Sequence, residues 1–395
     1  MTLTLLLDLD DTLLDTNMDA FIPAYFQALS GALASQVAPE LMLSALMGGT
    51  KRMMTSEDPG QTLRQVFDAY FFPKLGLERE ALQAAIDHFY DEVFPVLRDL
   101  TKPRPEAVRL VDWAFEQGYR VVIATNPFFP LKAVYHRMRW AGLSPEKYPF
   151  ALVSSYETFH FTKENPAYFS EVMAQLGWPD NPVVMAGNDI DIDLLPAQRA
   201  GLPVFWVKNA AVSSPERADL PQGTLGELRL WLENVDLGTL RPSFKTPASL
   251  LALLRSTPAA LATLTDPLPL HVWLCQPKPG EWCLTEIMCH LRDVEREINL
   301  PRLLRVLAEE NPFIAGVVSD QWVGERQYAR QDGRVALSDF TVARKESLSL
   351  LNGLQAEWTL PARHAIFGPT CLQEMVGFVA EHDRVHVQQA VAVIR

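Results

Sequence analysis

The stretch LTLLLDLDDTL, residues 3–13, joins a short apolar run directly to a cluster of carboxylates. An apolar run of this length before Asp8 predicts a buried strand of a parallel sheet. Asp8 and Asp10 then stand at the carboxyl end of that strand, where open α/β sheets bind their ligands. The stretch therefore predicts the first strand of an α/β domain with carboxylates at its ligand-binding edge.

Short β-rich runs recur along the first half of the chain and alternate with helical stretches. After the run at 3–8, they stand at 119–125, 150–154, 182–187 and 203–207. Strands that alternate with helices predict the α/β class, here with a Rossmann-like parallel sheet. A helix-biased segment at about 16–98 separates the first two strands and is too long for a loop. It predicts an inserted helical subdomain, or cap.

The β pattern ends after an amphipathic helix predicted at 224–233. Residues 236–246 carry Gly and Pro with little periodicity, which predicts a linker between a first domain at 1–235 and a second at 247–395. Helical patterns dominate the second domain, with helices expected at 248–264, 284–310, 336–355 and 370–393. Four helices of this length predict an all-α four-helix bundle.

The composition restricts the class of protein and its partners. Of 395 residues, 48% are hydrophobic and 21% are charged, as in a globular protein with two or three domains. The net charge of −13 would repel the phosphate backbone of a nucleic acid. No apolar stretch approaches the ~20 residues of a membrane span, and the chain opens without the positive region of a secretory signal. We therefore expect a cytoplasmic protein with no nucleic-acid or membrane partner.

Polar residues cluster where the predicted strands end. Thr125 and Asn126 end the second strand, and Lys163 stands before a predicted helix. The fourth strand ends in GNDIDID, residues 187–193. Because the carboxyl ends of parallel strands meet at one edge of a sheet, we expect these side chains to lie near Asp8 and Asp10.

In order and in residue type, this set of motifs resembles the haloacid dehalogenase superfamily over about residues 1–235. The resemblance implies that Asp8 is a nucleophile that forms an aspartyl-phosphate, and that Asp10 is the general acid and then the base. It also implies that Thr125, Asn126 and Lys163 bind the substrate phosphate. Dehalogenases of the superfamily lack the second carboxylate, so Asp10 favours hydrolysis of a small phosphate ester.

The same resemblance implies a Mg²⁺ cofactor, which prefers octahedral ligation by oxygen. Asp8, the backbone carbonyl of Asp10 and the cluster at 188–193 would supply ligands. Asn188 stands where the superfamily more often has an aspartate. Asn188, Asp189 and Asp193 therefore stay open as the candidate ligands of this cluster.

Three histidines are expected to converge inside the predicted bundle. His290 lies on the apolar face of one helix, and His382 and His386, four residues apart, lie on the apolar face of the last. Three buried imidazoles without a metal would leave polar nitrogens competing for partners. They suit a divalent transition metal such as zinc, nickel or iron(II). His364, before the last helix, is expected to be an exposed loop residue.

The histidine spacing, together with PGEW at 279–282, resembles the DinB-like family of four-helix metal proteins over about residues 247–395. That family includes thiol-dependent transferases and isomerases. The resemblance therefore implies a bound metal and admits a low-molecular-weight thiol as partner and dimer formation through the bundle.

Three functional interpretations stay open. The first is a magnesium-dependent phosphatase with an accessory DinB-like metal-binding domain. The second is a thiol-dependent metallo-transferase or isomerase in the C-terminal domain, with the N-terminal domain as a binding or regulatory module. The third is a structural fusion in which the bundle mediates dimerisation and the metal serves only stability.

Overall fold

The computed structural model describes residues 2–208 and 219–395 and divides the chain into two compact units. The first unit comprises the chain through Asn165, with Asp180–Gln198 and Leu202–Pro242. The second comprises Pro166–Pro179, Arg199–Gly201 and Ser243–Arg395. Residues 166–179, which the sequence assigns to the first domain, thus pack within the second unit.

A parallel sheet forms the centre of the first unit. The strands of this unit are β1 (Thr4–Leu7), β2 (Leu14–Thr16), β3 (Thr101–Pro103), β4 (Arg120–Ile123), β5 (Leu152–Val153), β6 (Val183–Gly187), β7 (Val204–Val207) and β8 (Gln222–Gly223). The sheet has the order β5-β4-β1-β6-β7-β8, and each neighbouring pair is parallel. Every residue of β1 is buried, because both of its edges are paired and helices cover the sheet. The α/β prediction is confirmed.

The inserted cap consists of helices, as predicted. They are α1 (Met18–Leu33), α2 (Pro39–Met54), α3 (Leu63–Leu75) and α4 (Arg79–His88), followed by a π-helical turn at Phe89–Val93 and a 3₁₀ segment at Phe94–Leu100. β2 and β3 pair antiparallel, with Leu14 opposite Pro103 and Thr16 opposite Thr101. This ribbon ties together the two chain ends of the cap. The helices that follow are α5 (Pro105–Glu116), α6 (Leu131–Trp140), α7 (Pro166–Gln175), α8 (Leu195–Arg199) and α9 (Leu225–Asn234), of which α7 belongs to the second unit.

The second unit is mostly helical. Its helices after α7 are α10 (Pro247–Thr265), α11 (Leu270–Trp273), α12 (Leu284–Val294), α13 (Leu300–Ala308), α14 (Trp322–Glu325), α15 (Gly333–Leu351) and α16 (Leu372–Ile394). The helix expected at 284–310 is not regular throughout, since a π-helical turn at Glu295–Asn299 separates α12 from α13. Pro301, in the first turn of α13, has no N–H to donate to the preceding turn, which accounts for the local change of helix type.

The helical prediction for this unit is confirmed, and beside its helices the unit contains a small three-stranded sheet that the sequence did not predict. Its strands are β9 (Phe313–Ile314), β10 (Pro361–His364) and β11 (Gly368–Cys371), in the order β11-β10-β9. β10 and β11 form a hairpin, and Gly368 at its turn has φ +76°, in the left-handed region that favours glycine. The strands are too short to produce a clear alternation in the sequence.

Among the described residues, α10 is long and apolar enough to cross a membrane by length and composition alone, and 67% of its apolar window is buried inside the fold. It packs against α7, α15 and α16 within the second unit. A core helix of a globular fold has the same composition, and packing against these three helices accounts for the apolar character of α10.

Candidate active site and metal centre

A lysine lies between two carboxylates at the carboxyl ends of β1 and β6. Lys163 Nζ donates to Asp8 Oδ1 at 2.7 Å and forms an ion pair with Asp193 Oδ1. The exposed fractions of Lys163, Asp8 and Asp193 are 1%, 6% and 2%. Burial and then repulsion from Asp193 raise the pKa of Asp8 to about 7, and Lys163 opposes that rise. The ammonium group thus stabilises two like charges that would otherwise repel each other.

The parallel sheet brings these residues together. β1 lies between β4 and β6, and the backbone N–H of Asp8 donates to Ala186 O at 3.0 Å, so Asp8 is fixed against the end of β6. The chain then turns so tightly that a Cβ atom on Gly187 would lie 2.2 Å from Asp193 Oδ2. Only glycine permits this close approach of the Asp193 carboxylate to the strand.

The polar groups after β6 are largely engaged in local hydrogen bonds. Asn188 Oδ1 accepts from Thr12 Oγ1 at 2.9 Å. Asp189 Oδ1 caps the π-helical turn at Ile190–Leu194 by accepting from two backbone N–H groups, at 2.8 and 3.0 Å. Asp193 Oδ2 accepts from the backbone N–H of Asp189 at 3.0 Å. Of these three side chains, Asp189 keeps an oxygen, Oδ2, that accepts no hydrogen bond from the described residues.

The donor set at this edge fits a magnesium ion in chemistry. Asp8 Oδ2, like Asp189 Oδ2, accepts no hydrogen bond from the described residues, and carboxylate oxygens are the ligands that Mg²⁺ prefers. Within the described part of the chain, the acidic side chains here do not form a group of three with ligand atoms within 4.8 Å of one another. Backbone oxygens and water would therefore have to complete an octahedral shell.

Asp10 is held by an arginine that the sequence analysis did not identify. Arg137, on α6, forms an ion pair with Asp10 Oδ2, and Thr16 Oγ1 donates to Asp10 Oδ1 at 3.1 Å. Arg137 is 1% exposed, and its guanidinium carbon lies 4.5 Å from the centroid of the Phe129 ring. Its Nε and Nη2 atoms are buried without a hydrogen-bond partner. The ion pair with Asp10 is thus the principal polar contact of Arg137, and it fixes the direction of the Asp10 carboxylate.

Thr125 and Asn126 occupy the end of β4, next to the Lys163 loop. Thr125 is 2% exposed, and its carbonyl accepts from Ser154 Oγ at 2.7 Å. Asn126 Oδ1 accepts from the backbone N–H of Lys163 at 3.2 Å. Asn126 therefore ties the loop that carries the lysine to the end of the neighbouring strand.

A cavity of about 340 Å³ lies in the cap and reaches the loop after Asn126. Its walls are mostly apolar and aromatic, including Ile22, Phe26, Leu29, Phe67, Phe71 and Phe128. Four of its polar side chains are engaged in pairs: Tyr25 Oη lies 3.0 Å from Tyr90 Oη, and Arg79 Nη1 lies 2.5 Å from Asp68 Oδ2. Phe129 forms part of the wall and also stacks with Arg137, so the cavity borders the residue that holds Asp10.

The three predicted histidines converge in the second unit. His382 Nε2 lies 3.1 Å from both His290 Nε2 and His386 Nε2, and the three ligand atoms lie within 4.8 Å of one another. Among the described residues this is the only group of three or more His, Cys, Asp or Glu side chains with that geometry. Trp282 stacks on His386 with its ring plane tilted by 5° and a centroid separation of 5.6 Å. The site is thus closed on one side by an indole ring.

The electrostatics of the three imidazoles favour metal binding. Burial lowers the pKa of His290 to about 3 and that of His382 to about 2, and it also lowers the pKa of His386. The rings are therefore neutral at pH 7 and have lone pairs to offer. His386 Nδ1 lies 2.8 Å from Gln389 Oε1, and donation to that oxygen leaves the lone pair on Nε2. Convergent Nε2 atoms of neutral imidazoles suit a divalent transition metal.

A buried arginine fixes the helices that carry the histidines. Arg344, on α15, has no exposed surface and donates from Nε to Glu295 Oε1 at 2.8 Å and from Nη2 to Asp383 Oδ1 at 3.1 Å. Its Nη1 donates to Leu254 O at 3.0 Å. Glu295 directly follows α12, and Asp383 adjoins His382, so one side chain links α10, α12, α15 and α16. Buried charges require such mutual compensation.

The expectation that His364 is an exposed loop residue is wrong. His364 is the last residue of β10 and is 6% exposed. Its ring stacks on Phe367 with centroids 4.9 Å apart. The hairpin of β10 and β11 turns this side chain inward, and the short strands gave no periodic signal from which its direction could be inferred.

Comparisons with known proteins give two family matches, one in the N-terminal and one in the C-terminal part of the chain. Residues 2–201, about half of the chain, match the family model of haloacid dehalogenase-like hydrolases, and residues 253–390 match that of the DinB superfamily. No curated protein matches the chain.

Similar solved structures cover one part of the chain or the other. A 2-haloacid dehalogenase of Pseudomonas syringae pv. Tomato DC3000 is 25% identical, with a TM-score of 0.43, over 59% of this chain and 99% of that chain. A HAD phosphatase of Thermococcus onnurineus is 21% identical, with a TM-score of 0.38, over 59% and 98%. YfiT of Bacillus subtilis, described as a probable metal-dependent hydrolase, is 18% identical, with a TM-score of 0.35, over 38% and 87%.

The family match covers the segments that supply Asp8, Asp10, Thr125, Lys163 and Asp193. The second match covers all three convergent histidines. The chain therefore belongs to the haloacid dehalogenase-like hydrolase family and carries a DinB superfamily domain in its C-terminal part.

Proposed function

We propose that the first unit is a magnesium-dependent phosphatase that hydrolyses a small phosphate ester through an aspartyl-phosphate on Asp8. The observation that carries this proposal is the buried Lys163 ammonium group, which contacts both Asp8 and Asp193. A phosphoryl group that approaches Asp8 would lie beside this cation, which offsets its negative charge. Asp10 favours a phosphate ester over a halogenated acid, because an alkoxide leaving group needs a proton and a halide does not.

Each half-reaction uses the same two carboxylates. Asp8 attacks phosphorus, the bond to the ester oxygen breaks, and Asp10 gives its proton to the departing alkoxide. In the second half, Asp10 takes a proton from water, whose oxygen attacks the aspartyl-phosphate and releases inorganic phosphate. Arg137 keeps the Asp10 carboxylate in one direction through both steps. Thr125 and Asn126 border the position of the phosphoryl oxygens.

Magnesium, when bound, would neutralise charge on the phosphoryl oxygens. Asp8, the Asp10 carbonyl and Asp189 are the groups best suited to hold it, because Asp8 and Asp189 each keep an Oδ2 atom that accepts no hydrogen bond from the described residues. Both carboxylate oxygens of Asp193 are engaged, and Asn188 Oδ1 accepts from Thr12. We infer a cytoplasmic location and a small-molecule substrate, in keeping with the composition.

The lining of the cap cavity favours a substrate whose leaving group is apolar. Its aromatic and aliphatic walls offer burial but few unpaired polar groups, since the Tyr25–Tyr90 and Arg79–Asp68 pairs satisfy each other. A sugar would leave several hydroxyl groups without partners there, which costs free energy.

A second function is favoured by the three convergent imidazoles in the second unit. We propose that they bind a divalent transition metal and give this unit metal-dependent activity of its own, with a low-molecular-weight thiol as a candidate co-substrate. Dimer formation through the bundle is part of the same proposal.

Asp8→Asn should abolish phosphatase turnover, because it removes the nucleophile and leaves an amide of the same shape. We expect a loss of at least about 10³-fold, measured as phosphate released with magnesium from a panel of esters. Asp15 is an exposed carboxylate on β2, so Asp15→Asn is the matched control and should retain wild-type turnover. Comparable turnover of Asp8→Asn and wild type, or no ester hydrolysed by the wild type, would contradict the proposal.

Arg137→Met should lower kcat by about 10- to 100-fold with little change in KM, because the Asp10 carboxylate loses its fixed direction. The loss should be larger for an alkyl phosphate than for 4-nitrophenyl phosphate, whose leaving group needs little protonation. Arg139→Met, two residues along α6 and exposed beside Glu146, serves as control. If Arg137→Met slowed turnover equally in the Asp10→Asn background, Arg137 would not act through Asp10.

The series ethyl, butyl and hexyl phosphate tests the cap cavity. Each CH₂ buried contributes about 0.8 kcal/mol, so kcat/KM should rise by about fourfold per CH₂ until the cavity is filled. Hexyl phosphate should exceed glucose 6-phosphate. A flat series, or a preference for the sugar phosphate, would show that the cavity does not hold the leaving group while leaving phosphatase activity itself in place.

The double substitution His382→Ala and His386→Ala should remove bound transition metal from the full chain, as measured by mass spectrometry of the purified protein. It should also lower the melting temperature, because a ligand at a hundredfold excess over its Kd stabilises the folded state by about 2.7 kcal/mol. His271→Ala, on the exposed face of α11, is the control and should keep the metal. Equal metal content in the double variant and in His271→Ala would refute the assignment of the three histidines as metal ligands.

A further inference from the structure

A second cavity, of about 200 Å³, lies in the second unit beside one of the three histidines. Its lining includes Arg302, His364 and His382. The remaining walls are mostly apolar and include Ile298, Leu303, Phe367 and Phe378. The cavity therefore combines one cation, the imidazole of His364 and an apolar surface with His382 of the candidate metal centre.

Arg302 is a half-buried cation without an acidic partner among the described residues. Its Nη2 donates to Ala315 O at 2.7 Å, which satisfies one donor but compensates no charge. Burial lowers the pKa of Arg302, the direction expected when a guanidinium is desolvated without a counter-ion. Arg305, one turn further along α13, is exposed and pairs with Glu309 at 2.9 Å. A half-buried charge of this kind is stabilised by an anion that enters the cavity.

His364 offers a hydrogen-bond donor on the same cavity. Its Nδ1 accepts from the backbone N–H groups of Ile366 and Phe367, at 3.2 and 3.4 Å. Burial and the nearby Arg302 charge lower the pKa of His364, so the ring is neutral at pH 7 and carries its proton on Nε2. In the described part of the chain Nε2 has no hydrogen-bond acceptor. A donor on the wall of a cavity that has no partner in this part of the fold is available to an acceptor on a ligand.

We propose that this cavity binds a small organic carboxylate with an apolar body. The carboxylate oxygens accept from the Arg302 guanidinium and from His364 Nε2–H, and the apolar body packs against Phe367 and Phe378 beside His382. The planar guanidinium matches a planar carboxylate in geometry. The guanidinium and the imidazole N–H together offer donors for the two oxygens of one carboxylate. The site is thus distinct in chemistry from the phosphate site of the first unit, and it does not depend on the proposed phosphatase activity.

Calorimetric titration of the full-length protein with 3-phenylpropanoate and with 3-phenylpropanamide tests this site. The two probes have the same shape, and only the first is charged. We expect the carboxylate to bind at least tenfold more tightly than the amide. In Arg302→Met that preference should disappear, and in the matched control Arg305→Met it should persist.

His364→Phe keeps the aromatic stack and removes the Nε2–H donor together with the Nδ1 acceptor of the Ile366 and Phe367 N–H groups, and it should weaken binding of the carboxylate by about three- to tenfold. Metal content and melting temperature of each variant establish that the metal centre and the fold are intact. If Arg302→Met does not fold, the proposal is judged by the affinities of the wild-type protein for the carboxylate and for the amide. Equal affinity for the two probes, wild-type carboxylate affinity in Arg302→Met, or tighter binding of 3-phenylpropylphosphonate than of the carboxylate would overturn the proposal.

Discussion

The ion pairs of Lys163 with Asp8 and Asp193 are the interaction on which the active-site edge of the first unit depends. Two carboxylates that are almost fully buried repel each other, and burial followed by that repulsion raises the pKa of Asp8. A single ammonium group between them makes the arrangement stable. The parallel sheet makes it geometrically feasible, because β1 and β6 are neighbours and Gly187 admits the Asp193 carboxylate beside the strand. The charge pattern that stabilises this edge is also the pattern that phosphoryl chemistry requires.

In the second unit, too, a buried cation compensates two buried carboxylates, but the cation is an arginine and the surrounding elements are helices. Arg344 compensates Glu295 and Asp383 in a completely buried position, and the helices that it links carry the convergent histidines. In the first unit the buried cation contacts Asp8, the candidate nucleophile, whereas in the second it contacts acidic residues on or next to the histidine-bearing helices and not the histidines themselves. The imidazoles themselves are kept neutral by burial, which suits them to a metal rather than to proton transfer at pH 7.

The cavities of the two units differ in chemistry. In the cap cavity, Arg79 is paired with Asp68 and the tyrosine hydroxyls with each other, so the space offers mainly apolar contact. In the smaller cavity, Arg302 and the Nε2–H of His364 have no acidic partner among the described residues. A cavity with unpaired donors favours a ligand that carries negative charge. A cavity whose polar groups are already paired discriminates between ligands by their shape and by the apolar surface they bury. Each unit therefore carries the elements of its own ligand specificity.

The sequence by itself determined the elements that local pattern encodes: the five strands predicted, the inserted cap, the helical second half, and Asp8, Asp10, Lys163 and the three histidines as residues of interest. Periodicity and motif spacing are properties of neighbouring residues, so they can be read along the chain. Tertiary structure alone decided that Arg137 holds Asp10, that Arg344 stands behind the histidines, that His364 is buried beside Arg302, and that residues 166–179 pack with the second unit. Asp10 and Arg137 are separated by 127 positions, and Glu295 and Arg344 by 49. Charge compensation acts through space in a low-dielectric interior, and no local spacing rule records which distant cation will be buried beside which carboxylate.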